Sequence, residues 1–289
     1  MSRAGVVTDP VPGAVTGPVI GAGLVSLRDV LHAEWTKLRT VASTYWLLLA
    51  AVALPIAVGA AAAAAFGCQP GACAPARTGA DPAKISLTGV YLGQAVVAAL
   101  AVLAIGDEYA TGMIRVTLAA VPRRLTVLAA KAAVLTGGVV AASVVAVGGS
   151  VLAGRLILPG RGLGTANGYQ LLSLGNGPDL RAAAGSVIYL ALIALLALGV
   201  TAAVRDAGAA IGVVLGLLYL FPIITAVIPD HVLARHLQQL APMTAGLYIQ
   251  ATVGIQSLPL TPWQGLGVLA AWAVGALALG AVVLRRRDA

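Results

Sequence analysis

Charge is the first thing this sequence lacks. Only 10% of its 289 residues are Asp, Glu, Lys or Arg, where a soluble domain of that size carries about a quarter. So small a charged fraction cannot cover a water-facing surface. Aromatic residues are also sparse, at 4%, and there are two cysteines, Cys68 and Cys73. Two cysteines are too few for a disulfide scaffold, and a lone pair is not a zinc site. No Gly-Lys dipeptide occurs anywhere, so the chain has no G-x-x-x-x-G-K-[ST] phosphate-binding loop and cannot hydrolyse ATP by that route. G-x-S-x-G and H-E-x-x-H are missing too. The three histidines, His32, His231 and His236, fall outside the apolar runs, and the spacing of five between the last two puts them on different faces of a helix. Residues 1–23 have no compact basic segment followed by an unbroken apolar core. No cleaved signal peptide is expected there, and the segment reads as a mobile tail.

What the sequence does have is long apolar runs: 60% of its residues are hydrophobic. Six runs, at 45–66, 85–105, 126–152, 183–204, 207–228 and 263–284, are long enough to cross a ~30 Å hydrocarbon layer as helices. The expected fold is therefore an all-α integral membrane protein, with residues 24–289 as one six-span unit. Only Arg205 and Asp206 separate the fourth and fifth runs, which must form an antiparallel hairpin. Between the fifth and sixth, residues 230–240 fit a short amphipathic helix with Val232, Leu233, Leu237 and Leu240 on its apolar side.

Residues 24–43 read as another amphipathic helix. Leu24, Leu27, Leu31, Trp35 and Leu38 recur at helical spacing, while Arg28, Asp29, His32, Lys37 and Arg39 fall mostly elsewhere. Such a helix suits the membrane interface; a cytosolic helix packed on a partner is the other reading. Within the spans so drawn Lys131 is the sole charge, near the end of the third, where it is expected to snorkel. No carboxylate or histidine falls at midplane, which weighs against a proton-driven carrier or an intramembrane enzyme.

The formal net charge is +8, but the basic residues sit between apolar runs, and no nucleic-acid-binding motif accompanies them. They report topology instead. With the amino terminus inside, the inner segments hold twelve Lys and Arg and the outer ones six. Both termini are therefore expected in the cytoplasm, with Arg285, Arg286 and Arg287 as a stop-transfer anchor. Cys68 and Cys73 then face the oxidising side, either as a disulfide across a tight loop or as two free thiols.

The segment after the second span is rich in chemistry. It runs from Gly106, Asp107, Glu108 and Tyr109 through Gly112, Met113, Arg115 and Leu118 to Pro122, Arg123 and Arg124. Its physics fits either a compact docking element at the membrane surface or a charged turn that sets topology. The segment resembles the cytoplasmic loop of ABC type-2 transporter permeases at Glu108, Gly112, Leu118, Pro122, Arg123 and Arg124, departing at Met113, where that family often has Thr. The stretch from Glu34 through Trp35, Lys37 and Arg39 to Thr40, and the basic carboxy terminus, also resemble actinobacterial members. The resemblance covers nearly all of residues 24–289. It implies a permease working with a P-loop ATPase subunit and with a second permease copy, as homodimer or pseudo-dimer. ATP and magnesium would be on the ATPase and no cofactor on this chain. Its coupling residues would be Glu34, Lys37, Glu108, Gly112, Leu118, Pro122, Arg123 and Arg124. Just beyond the second span, Glu108 is placed to pair with Arg123, Arg124 or a basic partner residue, and Glu108→Ala is expected to insert and dimerise normally yet lose stimulation of the ATPase. The location implied is the cell membrane.

Few polar residues are placed to line a path. Thr88, Tyr91 and Gln94 share a face of the second span, and Tyr219 and Thr225 lie in the fifth. They either line a route for cargo or serve as hydrogen-bond glue between helices. The apolar interior favours a hydrophobic or amphipathic cargo, drug-like or lipid-like. The competing reading is a membrane-embedded assembly or signalling partner without its own cargo. Gly208, Gly212 and Gly216 recur every four residues in the fifth span, a stripe suited to close helix contact within one protomer or between two.

Overall fold

The computed structural model describes residues 27–67, 73, 79–114 and 124–286. Among them there is no strand. The chain opens with α1 (Leu27–Thr40), and α2 (Ala42–Ala65) is the first span. A short α3 (Pro82–Ser86) precedes α4 (Val90–Ala110), and α5 (Arg124–Ile157) follows. Next come α6 (Gly177–Val204), α7 (Ala207–Val227), α8 (His231–Leu240), α9 (Pro242–Leu247) and α10 (Pro262–Arg286). Six of these, α2, α4, α5, α6, α7 and α10, are long and apolar enough to cross a membrane. The expected α8 forms, capped by Asp230, whose carboxylate accepts the N–H groups of Val232 and Leu233. Its apolar residues Val232, Leu233 and Leu240 are exposed rather than packed on the bundle.

The second span is displaced from the expected 85–105. Asp81 and Pro82 start the separate helix α3, a turn follows at 87–89, and α4 then runs on to Ala110. Thr88 consequently lies before the span, while Asp107 and Glu108 lie on it. An acid-plus-proline start is a strong helix N-terminal signal. The extension through Glu108 depends on charge partners that the local sequence does not reveal.

Span α6 is the axis of the bundle: 61% of its apolar window is buried, against 17% for α7. It packs most extensively on α10 and also against α4 and α5. The α6–α10 crossing is set by glycine. A Cβ on Gly199 would come within 2.5 Å of the α10 backbone at Ala276 and Leu277, and one on Gly280 within 2.8 Å of the Gly199 carbonyl oxygen. Only a missing side chain allows that approach, as is usual for helices packed in lipid. By contrast, a Cβ on Gly212 or Gly216 would meet nothing within 4 Å. These two glycines instead line an open apolar cavity of about 980 Å³ bounded by α6, α7 and α10, with Trp272 and Leu240 at one side.

The α6–α7 hairpin turns where expected. Arg205 adopts the left-handed conformation, φ 64°, and closes α6 with its N–H on the Thr201 carbonyl at 2.8 Å, while Asp206 caps α7 through the Ala209 N–H at 2.7 Å.

Candidate functional site

The charged residues that the sequence scatters over three segments meet at one end of the bundle. Glu34 and Lys37 come from α1, Glu108 from the last turn of α4, and Lys131 from the second turn of α5. The Lys131 ammonium donates to Glu34 Oε2 at 2.7 Å, to Glu108 Oε1 at 2.9 Å and to the Ala104 carbonyl at 3.1 Å. An ammonium has three N–H donors, and here all three are used. Lys37 donates to Glu34 Oε1 and to Glu108 Oε1, both at 2.8 Å. Glu34, Glu108 and Lys131 are about 5% exposed, whereas the Lys37 side chain is 39% exposed. Two carboxylates thus meet two ammonium groups, so the cluster is neutral overall.

Electrostatics favours the charged forms of the two α1 residues, Glu34 and Lys37. Burial pushes the Glu34 carboxyl up, but the charge and hydrogen bonds of Lys131 and Lys37 outweigh it and hold the carboxyl below its usual range. Burial acts downward on Lys37; its hydrogen bonds to Glu108 and Glu34 prevail and raise it. A buried pair contributes little net stability against an apolar replacement, yet losing one partner leaves a costly unpaired charge. The cluster therefore acts mainly to fix α1 against α4 and α5 in one register.

Two of the sequence expectations change here. Lys131 does not snorkel; it is buried and fully paired, because α1 brings Glu34 over it. Glu108 pairs with Lys37 and Lys131. Arg124 instead donates through Nη1 to the Leu284 carbonyl at 2.8 Å, and Arg205 donates to the Val283 carbonyl at 3.2 Å. Both arginines thus meet carbonyls in the last turn of α10, where a helix leaves acceptors unsatisfied and favours cations. The Arg205 guanidinium also stands 6.0 Å from the Tyr109 ring centroid. Gly112 sits in the turn after α4 at φ 71°, a conformation that side chains disfavour. Leu118, Pro122 and Arg123 lie outside the described residues, as do Cys68 and residues 1–26. Cys73 is buried and is not a free thiol.

Of the polar residues placed to line a path, Thr88, Gln94, Tyr219 and Thr225 use their side chains in hydrogen bonds, and Tyr91 takes part through its carbonyl. Gln94, fully buried on α4, donates to Met243 Sδ at 3.1 Å and accepts from the Tyr189 hydroxyl of α6. The Tyr219 hydroxyl donates to the Tyr91 carbonyl at 2.5 Å, joining α7 to α4. Thr88 and Thr225 donate to carbonyls of their own segments, Lys84 and Pro222. Tyr189 is a partner that sequence reasoning missed; its signal was a lone phenol inside an apolar run, which when buried needs an acceptor.

At the opposite end Asp81 makes a clamp that the sequence did not suggest. Besides capping α3 through the Lys84 N–H at 3.1 Å, its carboxylate accepts from Thr252 N at 2.5 Å, Thr252 Oγ1 at 2.7 Å and Val253 N at 3.0 Å. Arg181 donates to the neighbouring Ala251 carbonyl at 2.5 Å. These contacts hold the loop before the second span against the loop before the sixth.

Six apolar helices with a neutral charge cluster buried at one end define a multi-pass membrane protein whose amino-terminal helix is keyed to two of its spans. Residues 30–223 match the sequence profile described as ABC-2 family transporter protein, and the chain belongs to that family as a transmembrane permease. No curated protein matches the chain significantly.

Proposed function

We propose that this permease is the membrane half of an ATP-driven exporter that carries a hydrophobic or amphipathic cargo. A separate P-loop ATPase subunit binds ATP and magnesium, and two permease copies complete the assembly in the cell membrane, with both termini in the cytoplasm. The observation that carries this reading is the family match over 30–223 in a chain with no phosphate-binding loop of its own. Work must then enter from a partner. The end of the bundle where α1, the close of α4, the start of α5 and Arg205 gather is the place where a cytoplasmic subunit engages it, in keeping with its excess of basic residues.

The charge cluster supports this reading mechanically. A push on α1 or on the turn at Gly112 reaches Glu108 and Lys131 through buried ion pairs that resist lengthening, and so moves α4 and α5 together. Cys68 and Cys73 belong to the outer side in this arrangement. The apolar cavity beside α7 supports a cargo with little polar surface, since its lining offers scarcely any hydrogen-bonding side chain.

Affinity purification of the full chain from its native membrane, followed by mass spectrometry, tests the assignment. A P-loop ATPase recovered in fixed ratio, with ATP-dependent accumulation of a lipophilic dye in inverted vesicles, is the expected result. Recovery of a sensor kinase and no ATPase would replace the exporter with the cargo-free signalling assembly.

A further inference from the structure

The charge cluster leaves one polar atom without a partner. Glu108 is 4% exposed, its Oε1 serves both lysines, and its Oε2 is buried with no hydrogen bond among the described residues. An unsatisfied buried carboxylate oxygen is costly, and each instance in a native structure calls for an explanation. Glu108 also lines a cavity of about 110 Å³ between α1 and the adjoining ends of α2, α4 and α5. The polar part of its lining includes Ser43, Thr44 and Asp107; Leu47, Leu100, Leu103 and Leu135 form apolar wall.

Charge selects the occupant. Lys37 and Lys131 neutralise Glu34 and Glu108, and the exposed Asp107 at the same cavity adds a third carboxylate. The surplus is negative and the empty valence is an acceptor, so the fitting ligand is a cation with N–H donors. Size agrees: one water needs about 10–15 Å³ of such space, so the cavity has room for an ammonium head and the carbons next to it. The walls then choose the source. They are apolar side chains of three spans, α2, α4 and α5, so the site opens among helices that cross the bilayer.

We propose that this cavity binds the primary ammonium of a phospholipid headgroup, such as that of phosphatidylethanolamine, with Glu108 Oε2 as its buried acceptor and Asp107 at the rim. A trimethylammonium head has no N–H to donate and does not fit the site chemically. A lysine of a partner protein has the same chemistry as the lipid amine. Working with the purified chain alone removes that source. The inference needs only that the chain spans a membrane, and it stands or falls independently of cargo and ATPase.

The test is native mass spectrometry of the full chain in micelles supplied with equal amounts of phosphatidylethanolamine and phosphatidylcholine of matched acyl chains. The two lipids share the phosphate and differ in N–H donors. The expected result is about tenfold preferential retention of the ethanolamine lipid, the order produced by a charge-assisted hydrogen bond. Glu108→Gln should abolish the preference. Leu103→Trp, which fills the cavity and keeps all four cluster charges, should abolish it as well and reports even if the first variant does not fold. Equal retention of both lipids by the unaltered chain overturns the proposal, since the cavity then holds only water or awaits a protein side chain. A preference that survives Leu103→Trp overturns it too, by placing the lipid elsewhere.

Discussion

Lys131 and Lys37 make the same kind of contacts to the same two carboxylates, yet their surroundings give them unequal weight. Lys131 is 5% exposed and joins three helices; Lys37 is 39% exposed and can be replaced by water. Lys131→Met leaves Glu34 and Glu108 buried with only Lys37 to answer them, and should destabilise the protein by about 3–5 kcal/mol. Lys37→Met should cost about 0–1 kcal/mol, as solvent-exposed ion pairs do. Thermal unfolding in micelles, followed by tryptophan fluorescence, separates the two; equal losses would mean that the cluster is not buried in the working protein. Glu108→Ala belongs with Lys131→Met. It should still insert but lose stability, because Lys131 would be left with one of its two carboxylates.

Glu34 and Lys37 should give the protein a flat stability profile in pH. The Glu34 carboxyl is depressed in the folded state, so its contribution is fully present above the ordinary carboxylate value of 4.5 and is lost as pH falls through the folded value. The Lys37 ammonium is raised, so its contribution is present below the ordinary 10.5 and is lost as pH rises through the folded value. Melting temperatures measured between about pH 5 and pH 10 should form a plateau as far as these groups are concerned, with a decline on either side. Glu34→Gln should flatten the acid decline.

Among the elements, α6 and α7 carry similar runs of small residues and use them differently. Gly199 lies against the α10 backbone, and Gly199→Leu should unfold or displace α10, at about 1–3 kcal/mol or more for an overpacked contact. A Cβ at Gly212 meets nothing within 4 Å, and Gly212→Leu, pointing into the open cavity, should leave the melting temperature of the protomer unchanged or slightly raised, since glycine is a poor helix former. The intraprotomer reading of the glycine stripe is thereby set aside for Gly212 and Gly216. Chemical crosslinking in membranes then asks the remaining question. Loss of dimer in Gly212→Leu marks the stripe as the dimer seam, and an unchanged yield removes it.

The sequence was most readable where local chemistry alone decides. Apolar run length marks all six spans, Asp230 marks the start of α8, and Arg205-Asp206 marks the hairpin. It was least readable where distant segments meet. Glu34 looks like a polar residue of a surface helix until α5 supplies Lys131, 97 positions away. Asp81, which caps α3, bonds to Thr252 and Val253 across 171 and 172 positions, a contact the sequence did not show. The one available hint of the cluster was Lys131 itself, because a lone ionisable residue in an apolar run calls for a partner.

The whole molecule has two unlike ends, and that difference fixes how it should lie in the bilayer. One end gathers α1, the charge cluster, Arg124, Arg205 and the close of α10 at Arg285 and Arg286. The other gathers the Asp81 clamp, Arg181 and the short turns between α5 and α6. Eight of the thirteen Lys and Arg residues among the described ones fall in the segments of the first end. Positive charge near span ends is retained on the cytoplasmic side, so that end should face the cytoplasm. The structure adds a reason that charge counting lacks. Arg124 and Arg205 both hold carbonyls of the last turn of α10, so inverting the last span alone would break two contacts as well as moving basic residues outward. Reporter fusions after Asp288 and within residues 117–124 should therefore read cytoplasmic, and fusions within 160–176 should read external. A cytoplasmic signal from 160–176 would break the six-span arrangement. External signals from the other two sites, with a cytoplasmic one from 160–176, would invert the molecule and move the charge cluster away from any cytoplasmic ATPase. Removing the positive charge of Arg285 and Arg286 tests the cause. If charge alone sets the last span, the carboxy-terminal reporter becomes mixed; if the carbonyl contacts of Arg124 and Arg205 hold it, the reporter stays cytoplasmic until those arginines are replaced as well.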